Sequence, residues 1–243
     1  MTEPNYKDKL YSSYISTGQT ANDYNSKKMF SKRKYSHTKI IKRYLPKNKK
    51  SKIIDLGCGH GSLIHFTKLA GYKNVKGIDL SQEEVNLAHE LGIPEIQQGN
   101  IVDFLSSTQE KFDAIFLMDV LEHIESSDAI ILLEKINNVL NPGGRLILHV
   151  PNGEGLFGMR IRYGDFTHEN AFTLKSLKQI LTSTGYNNIL GYEEKPIVHG
   201  FISLIRRLIW DVLTIRYRLL MMAETGLRSF ILSQNLMVTA EKK

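Results

Sequence analysis

The segment Lys52-Ile-Ile-Asp-Leu-Gly57-Cys-Gly-His-Gly61 constrains this chain more than any other. A short apolar run leading straight into glycines at every second position describes a strand that ends in a tight, unhindered turn. Glycine lets the backbone bend there and lets another molecule approach the main chain with no Cβ in the way. A helix that follows such a turn points its first N–H groups back at it, favouring a carboxylate or phosphate. Beyond this point strand and helix characters alternate. Val75–Leu80, Ile96–Gln98, Phe112–Met118 and Arg145–Val150 read as strands. Gln82–Leu91, with Ser81 as its N-cap, and Ala129–Leu140 have helical spacing, and Asn141-Pro-Gly-Gly144 reads as a turn. The alternation predicts an α/β fold, a doubly wound and mainly parallel sheet with helices on both faces.

The flanks are less regular. Residues 1–48 form an N-terminal extension in which tyrosines (Tyr6, Tyr11, Tyr14, Tyr24) precede an amphipathic helix over residues 31–45, stopped by Pro46. Residues 49–243 make up the main domain. Residues 174–184 look helical, and Tyr186–Tyr192 and Ser233–Ala240 look like strands. Between these strands lies a helical insert, about 197–226, with Phe201, Leu204, Ile205, Leu208, Ile209, Val212, Leu213 and Leu220 at helical spacing. Such a stripe suits a core or dimer helix, or a helix lying on a membrane surface among arginines.

Charge is unevenly spread. The net charge is +7, yet residues 27–52 alone carry 12 Lys or Arg and no acid, leaving 20 basic against 25 acidic residues elsewhere. The segment suits nucleic acid, an anionic membrane or a phosphorylated substrate, or is simply a solvated helix face. One cysteine, Cys58, excludes an internal disulfide and a cysteine-based metal site, and no metal is expected. Without a signal-like start or a long apolar run, the reading is a cytoplasmic protein, peripheral at most to the inner face of a membrane.

Four polar residues end successive strand candidates: Asp55, Asp79, Asn100 and Asp119. In an open sheet all four would line one edge, where ligands bind. Asp79, 24 residues after Asp55, is placed to accept both hydroxyls of a ribose. A dinucleotide fingerprint would need glycine at the sixth position of the run, where this chain has Ser62. The pattern therefore describes a nucleoside site rather than a pyrophosphate cradle.

These elements resemble the class I methyltransferases that use S-adenosyl-L-methionine. The likeness runs from about Ile53 to Val150 and rests on the glycine turn, Gly77-Ile-Asp79-Leu, Phe112-Asp-Ala-Ile, Asp119-Val-Leu-Glu-His123-Ile and Asn141-Pro-Gly-Gly144. The last two are similar to small-molecule O-methyltransferases of quinone and surface-polysaccharide biosynthesis. The resemblance implies a seven-stranded Rossmann-like sheet whose last strand is antiparallel. It implies that Asp55, Gly57 and Gly59 hold the methionine end and Asp79 the ribose, with Cys58, Gly61 and Leu80 also among the cofactor-binding residues. Asn100 and Ile101 would meet adenine, and Asp119 and Val120 would border the sulfonium. Many relatives carry Asp at the Asn100 position; an amide oxygen can still accept from the adenine amino group. Apart from the resemblance, Arg33, Tyr11 and Tyr14 suit either a lid over the cofactor or a loose arm.

Methyl transfer from a sulfonium is an in-line displacement, so orientation can supply about 7–11 kcal/mol of the barrier. An oxygen nucleophile also gains roughly 10²–10⁴-fold from a general base. His168 is the first candidate for it, followed by His123 and then His199. The expected acceptor is a small molecule, a glycan or a lipid-linked intermediate. An RNA methyltransferase using residues 27–52 is the rival, although Asp119-Val-Leu-Glu lacks the Asn/Asp-Pro-Pro-aromatic element of enzymes that methylate base amino groups. A catalytically silent scaffold is the third reading; the intact glycine turn and Asp79 count against it.

Overall fold

The computed structural model describes Leu10 and residues 26–243; the arm carrying Tyr6, Tyr11, Tyr14 and Tyr24 lies outside these. In chain order the elements are α1 (Ser26–Tyr44), β1 (Lys52–Leu56), α2 (Ser62–Leu69), β2 (Asn74–Asp79), α3 (Gln82–Glu90), β3 (Ile96–Gln98), α4 (Ile101–Ser107) and β4 (Phe112–Met118). A 3₁₀ turn (Leu121–His123) follows, then α5 (Ser126–Val139), β5 (Leu140–Pro151), α6 (Gly158–Arg162), α7 (Leu174–Ser183), β6 (Tyr186–Glu193), α8 (Phe201–Thr225) and β7 (Asn235–Lys242).

The seven strands form one sheet in the order β3-β2-β1-β4-β5-β7-β6. All neighbours are parallel except β7, which runs antiparallel between β5 and β6. This is the expected doubly wound sheet. Its period-two alternation sorts side chains into two cores. Ile54, Leu56, Ile115, Leu117, Leu146 and Leu148 face α5 and α7. Ile53, Ala114, Phe116 and Ile147 face α1, α2 and α3. The strand order reverses between β1 and β4, and ligands of open sheets bind at such a reversal. The ends of β1, β2, β3 and β4, with Asp55, Asp79, Asn100 and Asp119, converge there.

Two expectations need correction. Asn141–Gly144 is not a turn ahead of the strand but a bulge inside β5. Leu140 pairs with Phe112 and Arg145 with Ala114, so the residues between loop out, with Gly143 at φ 70°. The strand signal was masked because proline and two glycines read as punctuation. The second correction concerns α8. Its apolar stripe covers no core: Phe201 is 78% exposed and Leu213 57%, whereas the buried positions are Ser203 and Thr214. Polar contacts dock the helix instead. Arg218 forms a two-oxygen salt bridge to Glu193 at 2.7 and 2.8 Å, and Lys195 reaches Asp211 at 2.8 Å.

The helix α1 is bound more closely than an appendage. Ile40, Ile41, Tyr44 and Leu45 are buried in the core shared with β1 and α2. Its basic side chains Lys32, Arg33, Lys34, Lys42 and Arg43 are exposed. On the opposite side of the site, Asn152 is 1% exposed. Its amide nitrogen donates to the carbonyls of Ile231 and Ser233 at 2.7 and 2.9 Å. That single side chain ties the loop after β5 to the return into β7.

Candidate active site

The turn after β1 hangs from the end of β2. Gly57 N and Cys58 N donate to Ile78 O at 2.8 and 3.1 Å. Gly59 N donates to Asp79 Oδ2 at 2.7 Å, and Ser81 N to Asp79 Oδ1 at 2.9 Å. Gly57 has φ 77°, and a Cβ there would overlap Val120 Cγ2 and stand 3.9 Å from Ile101 Cδ1. Three loops, after β1, β3 and β4, thus meet at this one glycine. Gly61 (φ 79°) is equally pinned, since a Cβ would overlap Ile96 Cδ1. The thiol of Cys58 turns toward β2, with Sγ 2.6 Å from where a Cβ on Gly77 would lie, and burial pushes its pKa well up. It is a packing group; its contribution to the turn is its backbone.

One support was not read from the sequence. His60, buried within the glycine turn, pairs with buried Glu84 of α3 at 3.2 Å (Nδ1 to Oε2). The pair clamps the turn to α3 from behind. A histidine placed between two glycines, with an acid in the first turn of the next helix but one, was the available signal.

The electrostatics of this edge favour a cationic or hydrogen-donating guest. Burial, with the neighbouring Asp79 charge, pushes the Asp55 carboxyl up to about 8. Burial also raises Asp79, against the two backbone N–H groups that hold it down. Asp55 Oδ1 and Ser62 Oγ are buried with no hydrogen-bond partner. Such groups are costly to leave unmatched, and an ammonium beside Asp55 would satisfy one of them. Leu80 lies 44% exposed at the rim. Asn100 serves first as the N-cap of α4, its Oδ1 accepting from Val102 N at 2.8 Å. Ile101 is half-buried beside it.

Asp119, just past β4, holds a left-handed backbone (φ 56°), a costly conformation for a residue with a side chain. It places the carboxylate 2.5 Å from His149 Nδ1, while His149 Nε2 meets Glu194 Oε2 at 2.8 Å. Burial alone would discharge His149, but the flanking carboxylates raise it well above the ordinary imidazole range. In return, against the cost of burial, the His149 charge holds Asp119 and Glu194 below the usual carboxylate range. Sequence reasoning missed His149 because it sits inside the apolar run of β5. From α1, His37 is buried with both ring nitrogens unpartnered and is pushed down to about 3 by burial and the Arg33 charge. The Arg33 charge also acts on Asp119, so α1 leans over this site.

Two of the three candidate bases come together here. The His123 and His168 rings are 4.6 Å apart, edge to face. His168 Nδ1 donates to Ile161 O at 3.0 Å, and its Nε2 lies 4.0 Å from Glu122 Oε1. His123 Nδ1 meets Thr167 Oγ1 at 2.8 Å, and burial and the adjacent His168 lower its pKa to about 4. Glu122, 1% exposed, is raised to about 8 by burial and then by the Asp119 charge. Its backbone carbonyl accepts from Glu169 N and Asn170 N at 2.7 and 3.0 Å, which fastens the His168 loop to the 3₁₀ turn. Ligand-type atoms of Glu122, His123 and His168 lie within 4.8 Å of one another, a spacing a cation could use and one the sequence did not announce. His199 is elsewhere: it is exposed and stacks on Tyr35 of α1 at 4.7 Å.

The His149 ion-pair chain has a measurable consequence. A histidine with a raised folded pKa stabilises fully below its unfolded value, about 6.5, and that stabilisation is lost as pH rises through the folded value. Depressed carboxylates behave oppositely, losing their contribution as pH falls through their folded values. Nitrogen-15 spectra should show a His149 ring that stays doubly protonated to higher pH than an ordinary imidazole, and Asp119→Asn should lower its titration. A neutral ring in the wild type at pH 7 would contradict the assignment.

Comparison with known proteins places this geometry. Residues 29–190 match the family model described as a methyltransferase domain, well over half of the chain. The ubiquinone biosynthesis O-methyltransferase of Actinobacillus pleuropneumoniae is 34% identical over 110 residues, 42% of this chain and 46% of that protein. The chain spans less than half the length of the curated ubiquinone relatives it matches. Among solved structures, a SAM-dependent methyltransferase from Archaeoglobus fulgidus superposes with TM-score 0.65 at 19% identity, covering 86% of this chain and 94% of that one. Magnesium protoporphyrin IX methyltransferase from Synechocystis, with bound SAM, covers 100% of both chains with TM-score 0.60 at 15% identity. The chain belongs to the methyltransferase-domain family, with the fold of the S-adenosylmethionine-dependent methyltransferases it superposes on.

Proposed function

We propose that this chain transfers the methyl group of S-adenosylmethionine to an oxygen of a small-molecule, sugar or lipid-linked acceptor. The observation that carries this reading is the meeting of the glycine turn, Asp55, Asp79 and Asp119 at the reversal of the sheet, with an imidazole pair beyond Asp119. When bound, the cofactor supplies an already activated methyl group, so positioning is the main task left to the chain. Asp55 takes the methionine ammonium, which matches its unpartnered oxygen. Asp79 takes the ribose hydroxyls, held rigid by Gly59 N and Ser81 N. Gly57, Gly59, Gly61 and the Cys58 backbone form the floor. Leu80, Asn100 and Ile101 border adenine, and Asp119 and Val120 the sulfonium. The amide oxygen of Asn100 caps α4, accepting from Val102 N at 2.8 Å and from Asp103 N at 3.4 Å, which fixes this residue at the adenine border.

His168 accepts the acceptor's hydroxyl proton at Nε2. The Ile161 carbonyl can only accept, so Nδ1 carries the proton and the basic lone pair lies on Nε2. Glu122 lies beside that nitrogen, and His123, kept neutral by burial, meets the ring edge to face. The relatives that act in ubiquinone biosynthesis favour an oxygen acceptor for this chain too.

The outward face of α8 supports peripheral contact with an anionic membrane. Its 25 residues span about 38 Å and expose Phe201, Leu208, Val212, Leu213 and Leu220 beside Arg216. Monomers rarely expose an apolar surface of this extent without a partner. No helix of the described residues is long and apolar enough to cross a membrane.

His168→Ala should cut turnover by about 10²–10⁴-fold and leave calorimetric binding of S-adenosylmethionine unchanged. Near-normal turnover with intact cofactor binding removes His168 from the role of base. Flotation should recover the chain with anionic liposomes at low salt, and Leu208→Ser combined with Leu213→Ser should abolish the recovery. A wild type that stays at the bottom of the gradient ends the membrane reading.

A further inference from the structure

A second cavity lies between α1 and the insert, on the far side of the Asp119–His149–Glu194 chain from the glycine turn. Its volume is about 450 Å³, within the range that takes a small organic molecule. One wall is the α1 stripe Lys32, Tyr35, Ser36 and Lys39; the other holds Lys195, His199, Arg206 and Trp210. Stacking of Tyr35 on His199 joins the two walls. Glu194 reaches the lining and is the same residue whose Oε2 holds His149, so the cavity abuts the reacting end of the cofactor site.

The charges of this cavity are lopsided. Four cations line it against two carboxylates, Glu193 and Glu194. Both acids are already engaged, Glu193 by Arg218 and Lys195, and Glu194 by His149. Lys195 is likewise spent on Asp211. Among the described residues Lys39 and Arg206 face the cavity with no ion pair of their own, and the Trp210 indole N–H is buried without an acceptor. A single carboxylate would leave one of these cations unmatched. A dianionic phosphoryl group answers both, with further oxygens for neutral donors. A neutral sugar or quinone ring would fill the space and leave both charges uncompensated.

We propose that this cavity is an anion subsite for the acceptor, and that the acceptor bears a phosphate or pyrophosphate gripped by Lys39 and Arg206. The proposal rests on the methyltransferase reading and narrows it to phosphorylated acceptors. The phosphoryl group is the handle, held across the Glu194–His149 wall from the methyl donor, and the oxygen to be methylated lies on the body attached to it. A phosphoryl group on a soluble ester and one on a lipid headgroup present the same oxygens, and the exposed apolar side of α8 makes either source accessible.

Trp210 is the only tryptophan of the chain, so its fluorescence reports on this cavity directly. The full chain, saturated with S-adenosylhomocysteine, is titrated with inorganic pyrophosphate, with inorganic phosphate and with acetate, and each titration is repeated by calorimetry. Pyrophosphate and phosphate should bind saturably and acetate should not. Lys39→Gln and Arg206→Gln should each weaken pyrophosphate at least about tenfold, the loss expected of one charge-assisted contact. Both variants should keep wild-type affinity for S-adenosylmethionine. Competition then separates the sources: phosphatidic acid in phosphatidylcholine vesicles displaces pyrophosphate if the cavity reads lipid phosphate, and glucose 1-phosphate does so if it reads a soluble ester. Absence of saturable binding by both methods, or unchanged affinity in both variants, overturns the subsite. Loss of cofactor binding in the wild type would count against the underlying methyltransferase reading alone.

Discussion

The site depends on the backbone of the glycine turn being hung from the end of the neighbouring strand. The N–H groups of Gly57 and Cys58 reach the Ile78 carbonyl, and that of Gly59 reaches the Asp79 carboxylate. These bonds bring two strand ends and two acids into one place and leave the main chain bare above them. The left-handed φ of Gly57 and its contact with Val120 admit no side chain. The buried His60–Glu84 pair closes the turn from behind. The burial that raises Asp55 and leaves its Oδ1 without a partner follows from the same packing. The pocket is built around a cost that a cationic guest can relieve, an arrangement common where stability is given up for binding.

On the far side of this edge, charge rather than apolar packing organises the fold. Asp119, His149 and Glu194 form a continuous chain from β4 through β5 to the segment after β6. Glu193, next in sequence, anchors Arg218 of α8, and Lys195 anchors Asp211. The insert is therefore held by ion pairs along one face, which frees its apolar face to point outward. A helix attached in this way can carry an outward-facing surface and one wall of a cavity without joining the core.

Much of this was legible in the chain. The bounds of β4 follow from an apolar run closed by a polar residue, and the four polar strand ends lie together at one edge of the sheet. The glycine spacing distinguished a nucleoside turn from a dinucleotide one. What was not legible shares a physical cause, namely that tertiary context overrode a local signal. Asn141–Gly144 has turn chemistry but is absorbed into β5 as a bulge. His149 is a polar residue inside Leu146–Val150, where only its pairing partners from distant segments reveal a charge role. The stripe on α8 has core periodicity, yet Ser203 and Thr214 are the buried positions, because the insert is fixed by charges on other elements. The pairing of His123 with His168 joins residues 45 apart in the chain, and no local pattern records it.

The most direct test of the account is calorimetric titration of the chain with S-adenosylmethionine in two buffers of different ionisation enthalpy, near pH 7. With the Asp55 carboxyl standing at about 8 before binding, the incoming ammonium should convert it to the carboxylate. The expected result is one-site binding accompanied by release of a proton to the buffer. A folded chain that takes up no S-adenosylmethionine, or binds it with no exchange of protons, would contradict the site described above.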